Sequence, residues 1–121
     1  MQNNNILHTK SYAFAIRTVN LSRYLNSEQK EYILSKQILR SGTSIGALIS
    51  ESEFAQSTAD FIHKLTISLK EANETKYWIN LLYDTKTITQ NMYESLIYDI
   101  QEIISLLVSI IKKLKNKSIA P

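Results

Sequence analysis

A chain of 121 residues has room for one domain around a small core. Two glycines, a single proline at the last position and no cysteine argue against hairpin-rich folds, disulfide frameworks and thiolate metal sites. The net charge of +3 is modest but unevenly spread: residues 1–50 carry six basic and two acidic side chains, residues 51–111 carry four and nine, and the last ten residues add four lysines.

In chain order, the opening stretch MQNNNILHTK has no basic region followed by an apolar core, so no signal peptide is expected. No apolar run approaches the roughly 18 residues of a spanning helix, and a cytoplasmic protein is expected. The first helical periodicity covers about 9–25, with Tyr12, Ile16 and Val19 on one side and Phe14, Leu21 and Leu25 on the other. A helix apolar on two sides is expected between neighbours. LNSEQK breaks it, and Asn26 with Gln29 has the spacing of an N-cap and its reciprocal partner. The second helix then runs to about 54, with Leu34, Ile38, Ile45 and Ile49 in one stripe. After a break near 56, Ser57 is placed to cap a third helix over about 58–84, with Asp60 in its first turn. Phe61, Leu65, Leu69, Ala72, Ile79 and Tyr83 form its main stripe, while Ile67, Trp78 and Leu81 make a second patch. After a break near 86, Thr87 and Gln90 repeat the capping pattern. The fourth helix, about 89–114, carries Leu96, Ile100, Ile103, Leu107, Ile110 and Leu114 at alternating steps of four and three.

These runs predict an all-α fold, an antiparallel up-and-down four-helix bundle, as one domain over 1–121 with frayed or disordered ends at about 1–8 and 115–121. Because the first helix is the shorter one, part of the bundle is expected to lack cover. That gap, with the patch at Ile67, Trp78 and Leu81, predicts a homo-oligomer. The only glycines, Gly42 and Gly46 in RSGTSIG, lie four apart in mid-helix. Each costs about 1 kcal/mol relative to alanine there. Close helix packing, within the chain or between subunits, is the expected compensation. If the second and third helices turn back near Gln56, Arg40 comes level with Glu71 and Glu74, which suggests a structural pairing.

QILRSGTSIGALISESEFAQSTADFIHKLTISLKEANETKYWINLL, residues 37–82, resembles the core signature of a four-helix-bundle family. LRSGTSIG, DFIHKL and LKEANETKYW are the blocks that carry the likeness. The family comprises proteins encoded in intervening sequences of bacterial large-subunit ribosomal RNA and the accessory subunits of diversity-generating retroelements. The resemblance implies an antiparallel bundle assembled as a pentamer, and for the retroelement members a reverse transcriptase partner and nucleic acid bound through basic outer surfaces. Where the family usually has asparagine after the alanine of SIGA, this chain has Leu48, so that residue's role is not carried over.

Candidate chemistry is sparse. One Asp-x-x-His step, Asp60 and His63, falls short of the two steps and further carboxylates of a di-metal bundle, and His8 stands apart. No nucleophile elbow occurs. No catalytic site, metal or cofactor is therefore expected. Lys10 and Arg17 share a face of a helix with no acid before Glu28, and Lys36 is exposed on the second helix. With Lys112, Lys113, Lys115 and Lys117 they are the candidate phosphate contacts for RNA or DNA. Arg40, Glu71 and Glu74 join Gly42, Gly46, Ile67, Trp78 and Leu81 as candidate packing or subunit contacts. Two functions stay open: a non-enzymatic accessory protein that binds nucleic acid, and an oligomeric scaffold that does not.

Overall fold

The apolar periodicities become α1 (Gln2–Ser27), α2 (Ile33–Ser52), α3 (Thr58–Asp84) and α4 (Gln90–Ile119) in the computed structural model, which describes residues 2–119. Among the described residues there is no strand. Each helix packs against its neighbours in sequence, and α1 closes the ring against α4 along the thinnest of the four seams. This is the antiparallel up-and-down bundle. Its core is built from Ile38, Ile45 and Ile49 of α2, Leu65, Ala72, Ile79 and Leu82 of α3, and Leu96, Ile100, Ile103 and Leu107 of α4.

The first helix differs from its expected form. It begins at Gln2 rather than near 9, so it is 26 residues long, and α2, with 20, is the shortest. The expected gap in cover therefore does not arise. Leu7, Ser11, Phe14, Thr18, Leu21 and Leu25 are all buried, and form one seam at steps of four and three, with buried Ser22 beside it. Hydroxyl residues occupy several of its places, which hid the periodicity. The second side of α1 is not sandwiched: Tyr12 is 66% exposed and Ile16 50%.

The turns are set by local chemistry. Asn26 lies inside α1 and caps nothing; Gln29 Nε2 instead donates to Tyr24 Oη at 3.0 Å. Lys30, in the left-handed region at φ 53°, turns the chain. Glu31 Oε2 then accepts from the backbone N–H of Ile33 at 2.9 Å and Leu34 at 3.0 Å, the free donors of the α2 N-terminus. Before α3, Ser57 Oγ accepts from Asp60 N at 3.0 Å and Asp60 Oδ2 accepts from Gln56 N at 3.2 Å, a reciprocal cap. The α3 C-terminus closes with Thr87 N to Leu82 O at 2.8 Å and Lys86 N to Tyr83 O at 2.9 Å, around Lys86 at φ 61°. Those paired bonds define a Schellman motif. Thr89, not Thr87, caps α4, accepting from Met92 N at 3.2 Å, because Thr87 is held by the preceding motif.

The two glycines face α1 of the same chain. A Cβ on Gly42 would lie 2.6 Å from Thr18 Cγ2, and one on Gly46 would lie 3.2 Å from the Ser11 carbonyl oxygen. Around them the close approach is filled by hydroxyls, some bonded within their own helix and some across to the next. Ser22 and Ser35 Oγ are 2.7 Å apart, and Ser35 also reaches Ser22 O at 3.2 Å. Thr18 donates to Phe14 O at 2.8 Å and Ser11 to His8 O at 3.1 Å. On the other side of α2, Ser68 donates to Ile45 O at 2.9 Å and Thr75 meets Ser41 at 2.9 Å. Small side chains thus bring α2 close to both neighbours.

Gly42→Ala gains about 1 kcal/mol of helix propensity but drives Thr18 aside. A net loss of about 1–2 kcal/mol is expected from overpacking. Chemical denaturation of Gly42→Ala, Thr18→Ala and the double variant checks this. Most of the loss should be recovered in the double variant, and additive losses would refute the close-packing account.

Candidate nucleic-acid interface

The basic candidates fall into three separate places. Lys10 and Arg17 lie on the α1–α4 seam, held by acids of α4. Lys10 Nζ is 3.0 Å from Glu102 Oε1, and Arg17 Nη1 is 2.7 Å from Asp99 Oδ2 and 3.3 Å from Ser95 O. The hydrogen bond to Glu102, together with its charge, raises the Lys10 pKa above its ordinary value. Lys112, Lys113, Lys115 and Lys117 are exposed at the far end of α4, the first three on the side away from the packed Ile110, Ile111 and Leu114. There they complement the negative end of the helix dipole. Lys36 is exposed near the start of α2, one residue beyond the Ser22–Ser35 contact. Lys10 pairs with Glu102 and Arg17 with Asp99, so α4 runs opposite to α1. Lys36 and the tail lysines are therefore at opposite ends of the bundle, roughly 30–40 Å apart at 1.5 Å per residue.

The level arithmetic places Arg40 where the structure has it. Its Nη1 donates to Glu71 Oε1 at 3.0 Å and its Nη2 to Glu74 Oε2. Trp78 Nε1 donates to the same Glu74 oxygen at 3.0 Å, and Tyr77 meets the Trp78 ring edge-on at 5.0 Å. The indole N–H, then the Arg40 guanidinium, hold the Glu74 carboxyl below its usual range. Glu74 and Glu71 in turn raise the Arg40 pKa. Arg40 therefore clamps α2 to α3 within one chain. Trp78 packs against the core, whereas Ile67 and Leu81 are only half-buried.

Asp60 serves as a cap residue and His63 is exposed. His8 Nδ1 lies 3.6 Å from Glu53 Oε1. Among the described residues no group of three or more His, Cys, Asp or Glu is placed to hold a metal ion, and no helix is long and apolar enough to cross a membrane. Sequence reasoning missed Asp99 and Glu102 as partners. The signal was present: α1 has no acid, and α4 has no base before Lys112.

A family profile described as 23S rRNA-intervening sequence protein matches residues 3–109. The chain belongs to that family. Its fold is similar to the crystal structure of a protein of unknown function from the S23 ribosomal protein family of Bacteroides thetaiotaomicron. That protein is 60% identical, with a TM-score of 0.90, over 91% of this chain and 98% of the other. Comparison with the curated proteins gives no match. The family is named for an RNA context and not for a reaction.

The lowered Glu74 pKa fixes a sign. Its contribution to stability is complete above the ordinary glutamate value, about 4.3, and is lost as pH falls through the lower folded value. Trp78 is the only tryptophan, so its emission reports this carboxylate directly. An acid titration should show a fluorescence step below the ordinary glutamate range that Glu74→Gln abolishes. A step unchanged in that variant would assign it to another group.

Proposed function

We propose that the protein is a non-enzymatic homo-oligomer that binds nucleic acid weakly and with little sequence preference, as an accessory to an RNA process. The observation that carries this reading is the set of four exposed lysines, Lys112, Lys113, Lys115 and Lys117, around the end of α4, in a family named for ribosomal RNA. Lys112, Lys113 and Lys115 lie on the side of α4 away from the packed Ile110, Ile111 and Leu114 and offer several ammonium groups to a phosphate chain on that side. Phosphate contacts of this kind give affinity without sequence selection. The bundle presents no zinc finger, recognition-helix turn or aromatic sheet among the described residues. Lys36 adds a second, distant point of attachment. Lys10 and Arg17 contribute less than their positions on α1 suggest, because Glu102 and Asp99 already neutralise them.

Self-association, for which the family resemblance implies a pentamer, would repeat each weak site and raise the total affinity by avidity. Exposed apolar side chains on outer faces support it: Tyr12 and Ile16 on α1, Ile33 on α2 and Tyr77 on α3. Light scattering at micromolar concentration should give a mass well above the 13.9 kDa of one chain. A monomer would overturn the assembly.

The binding test is a titration of labelled structured RNA and single-stranded DNA at about 50 and 200 mM salt, the range in which phosphate neutralisation shows its salt dependence. Wild type should bind at low salt and release steeply. The variant with Lys112, Lys113, Lys115 and Lys117 all changed to Gln should weaken on every sequence alike. Its log–log salt slope should fall by about 0.7–0.9 for each phosphate left without a lysine. Absence of binding by the wild-type oligomer at low salt would leave the scaffold as the better reading.

A further inference from the structure

The α1–α4 seam is built unlike the other three. α1 carries Lys10, Arg17 and Arg23 and no acid, while α4 carries Glu94, Asp99 and Glu102 and no base before Lys112. Their packing is the thinnest in the bundle. Outside the shared apolar core, two ion pairs bridge the helices, and their side chains are each 36–39% exposed. Pairs this exposed contribute little stability. The Arg17 pair is also incomplete. Arg17 uses only Nη1, toward Asp99 and Ser95 O, so it does not make the two-pronged bond that a guanidinium can make with a carboxylate. Lys10 and Arg17 are seven residues apart, about 10 Å along the helix, and present two separate cations to one side of the molecule.

We propose that Asp99 and Glu102 are internal stand-ins for phosphate, which mask Lys10 and Arg17 and make the α1–α4 seam a latent polyanion site. A carboxylate oxygen bonded to an ammonium or guanidinium occupies the place a phosphate oxygen would take. The acids lie on a different helix from the bases, so a competing phosphate chain can displace them without breaking any helical hydrogen bond. The masking regulates the nucleic-acid binding proposed above, and in that sense it rests on that reading. It predicts that the unmasked protein neutralises two more phosphates than the wild type.

The test compares wild type with Asp99→Asn/Glu102→Gln, binding single-stranded RNA across the same salt range. Two further neutralised phosphates should steepen the log–log slope by about 1.4 and tighten low-salt binding by roughly tenfold. Glu28→Gln/Asp84→Asn changes the net charge equally at exposed acids away from the seam, and should leave the slope near that of wild type. Adding Lys10→Gln and Arg17→Gln to the unmasked variant should return the slope to the wild-type value. Circular dichroism verifies the fold, and if the double variant does not fold, each single amide variant should add about 0.7 to the slope. A seam variant indistinguishable from wild type or from the charge-matched control overturns the mask. If wild type fails to bind and the unmasked variant binds, the mask stands while the proposed wild-type function falls. If wild type binds through its tail lysines and the unmasked slope is unchanged, the function stands and the mask falls. If neither binds, both are rejected.

Discussion

The approach of α1 to α2 is governed by two missing side chains. At Gly42 and Gly46 the α2 backbone comes so close to Thr18 and Ser11 that a single added carbon would overlap a neighbour at one site and crowd a carbonyl at the other. Helix interiors do not favour glycine, so the pair persists through packing. The residues between the helices must then be small, and they must be polar without needing a distant partner. Serine and threonine meet both demands, because a hydroxyl can return its proton to its own helix, as Thr18 does to Phe14 O. The rest of the bundle follows from this tight pair. With α1 drawn onto α2, and α2 joined to α3 by Ser68 and Thr75, longer side chains reach across the outer edges of the seams.

Charge supplies that reach, in two different ways. On the α2–α3 side Arg40 spans the groove and gathers Glu71, Glu74 and, through Glu74, the Trp78 indole into one network. On the α1–α4 side two pairs, a heptad apart on α1, use separate donors and separate acceptors. The first arrangement shares one acceptor oxygen between two donors, and a change at any member is felt by the others. The second has separable parts. A network suits fixing two helices, and separable pairs suit a surface whose partners exchange. The molecule therefore carries its rigid ionic clamp on one side and its replaceable pairs on the opposite side.

Much of this was legible in the sequence, for definite reasons. The stripe of α4 could be read because leucine and isoleucine fill every seam position from Leu96 to Ile110. The Arg40 pairing could be read because an antiparallel hairpin preserves height about its turn, and the Ser57–Asp60 cap fixed that turn. The full length of α1 could not be read, because Ser11, Thr18 and Ser22 take buried places that a hydropathy pattern assigns to apolar residues. Two caps were misplaced for a related reason. Asn26 and Thr87 have the right side chains, but the backbone continues past Asn26 in α1 and is held at Thr87 by the α3 terminus. Among the candidate phosphate ligands, an excess of bases on α1 was visible, while their neutralisation depends on which helix comes to lie beside α1.

The spacing of small residues along α1 also encodes alignment by volume. Thr18 stands opposite Gly42 and Ser11 opposite Gly46. A slip of one turn that set Phe14 opposite Gly42 would set Leu7 opposite Gly46, two bulky groups at the two points with no space for them. Thr18 and Ser11 could form their intrahelical bonds in either alignment, but the Ser35 bonds to Ser22 across the helices would be lost, so bulk and that contact both select the observed alignment. One alignment of the hairpin thus survives, and that same alignment fixes the height at which Lys10 and Arg17 meet α4.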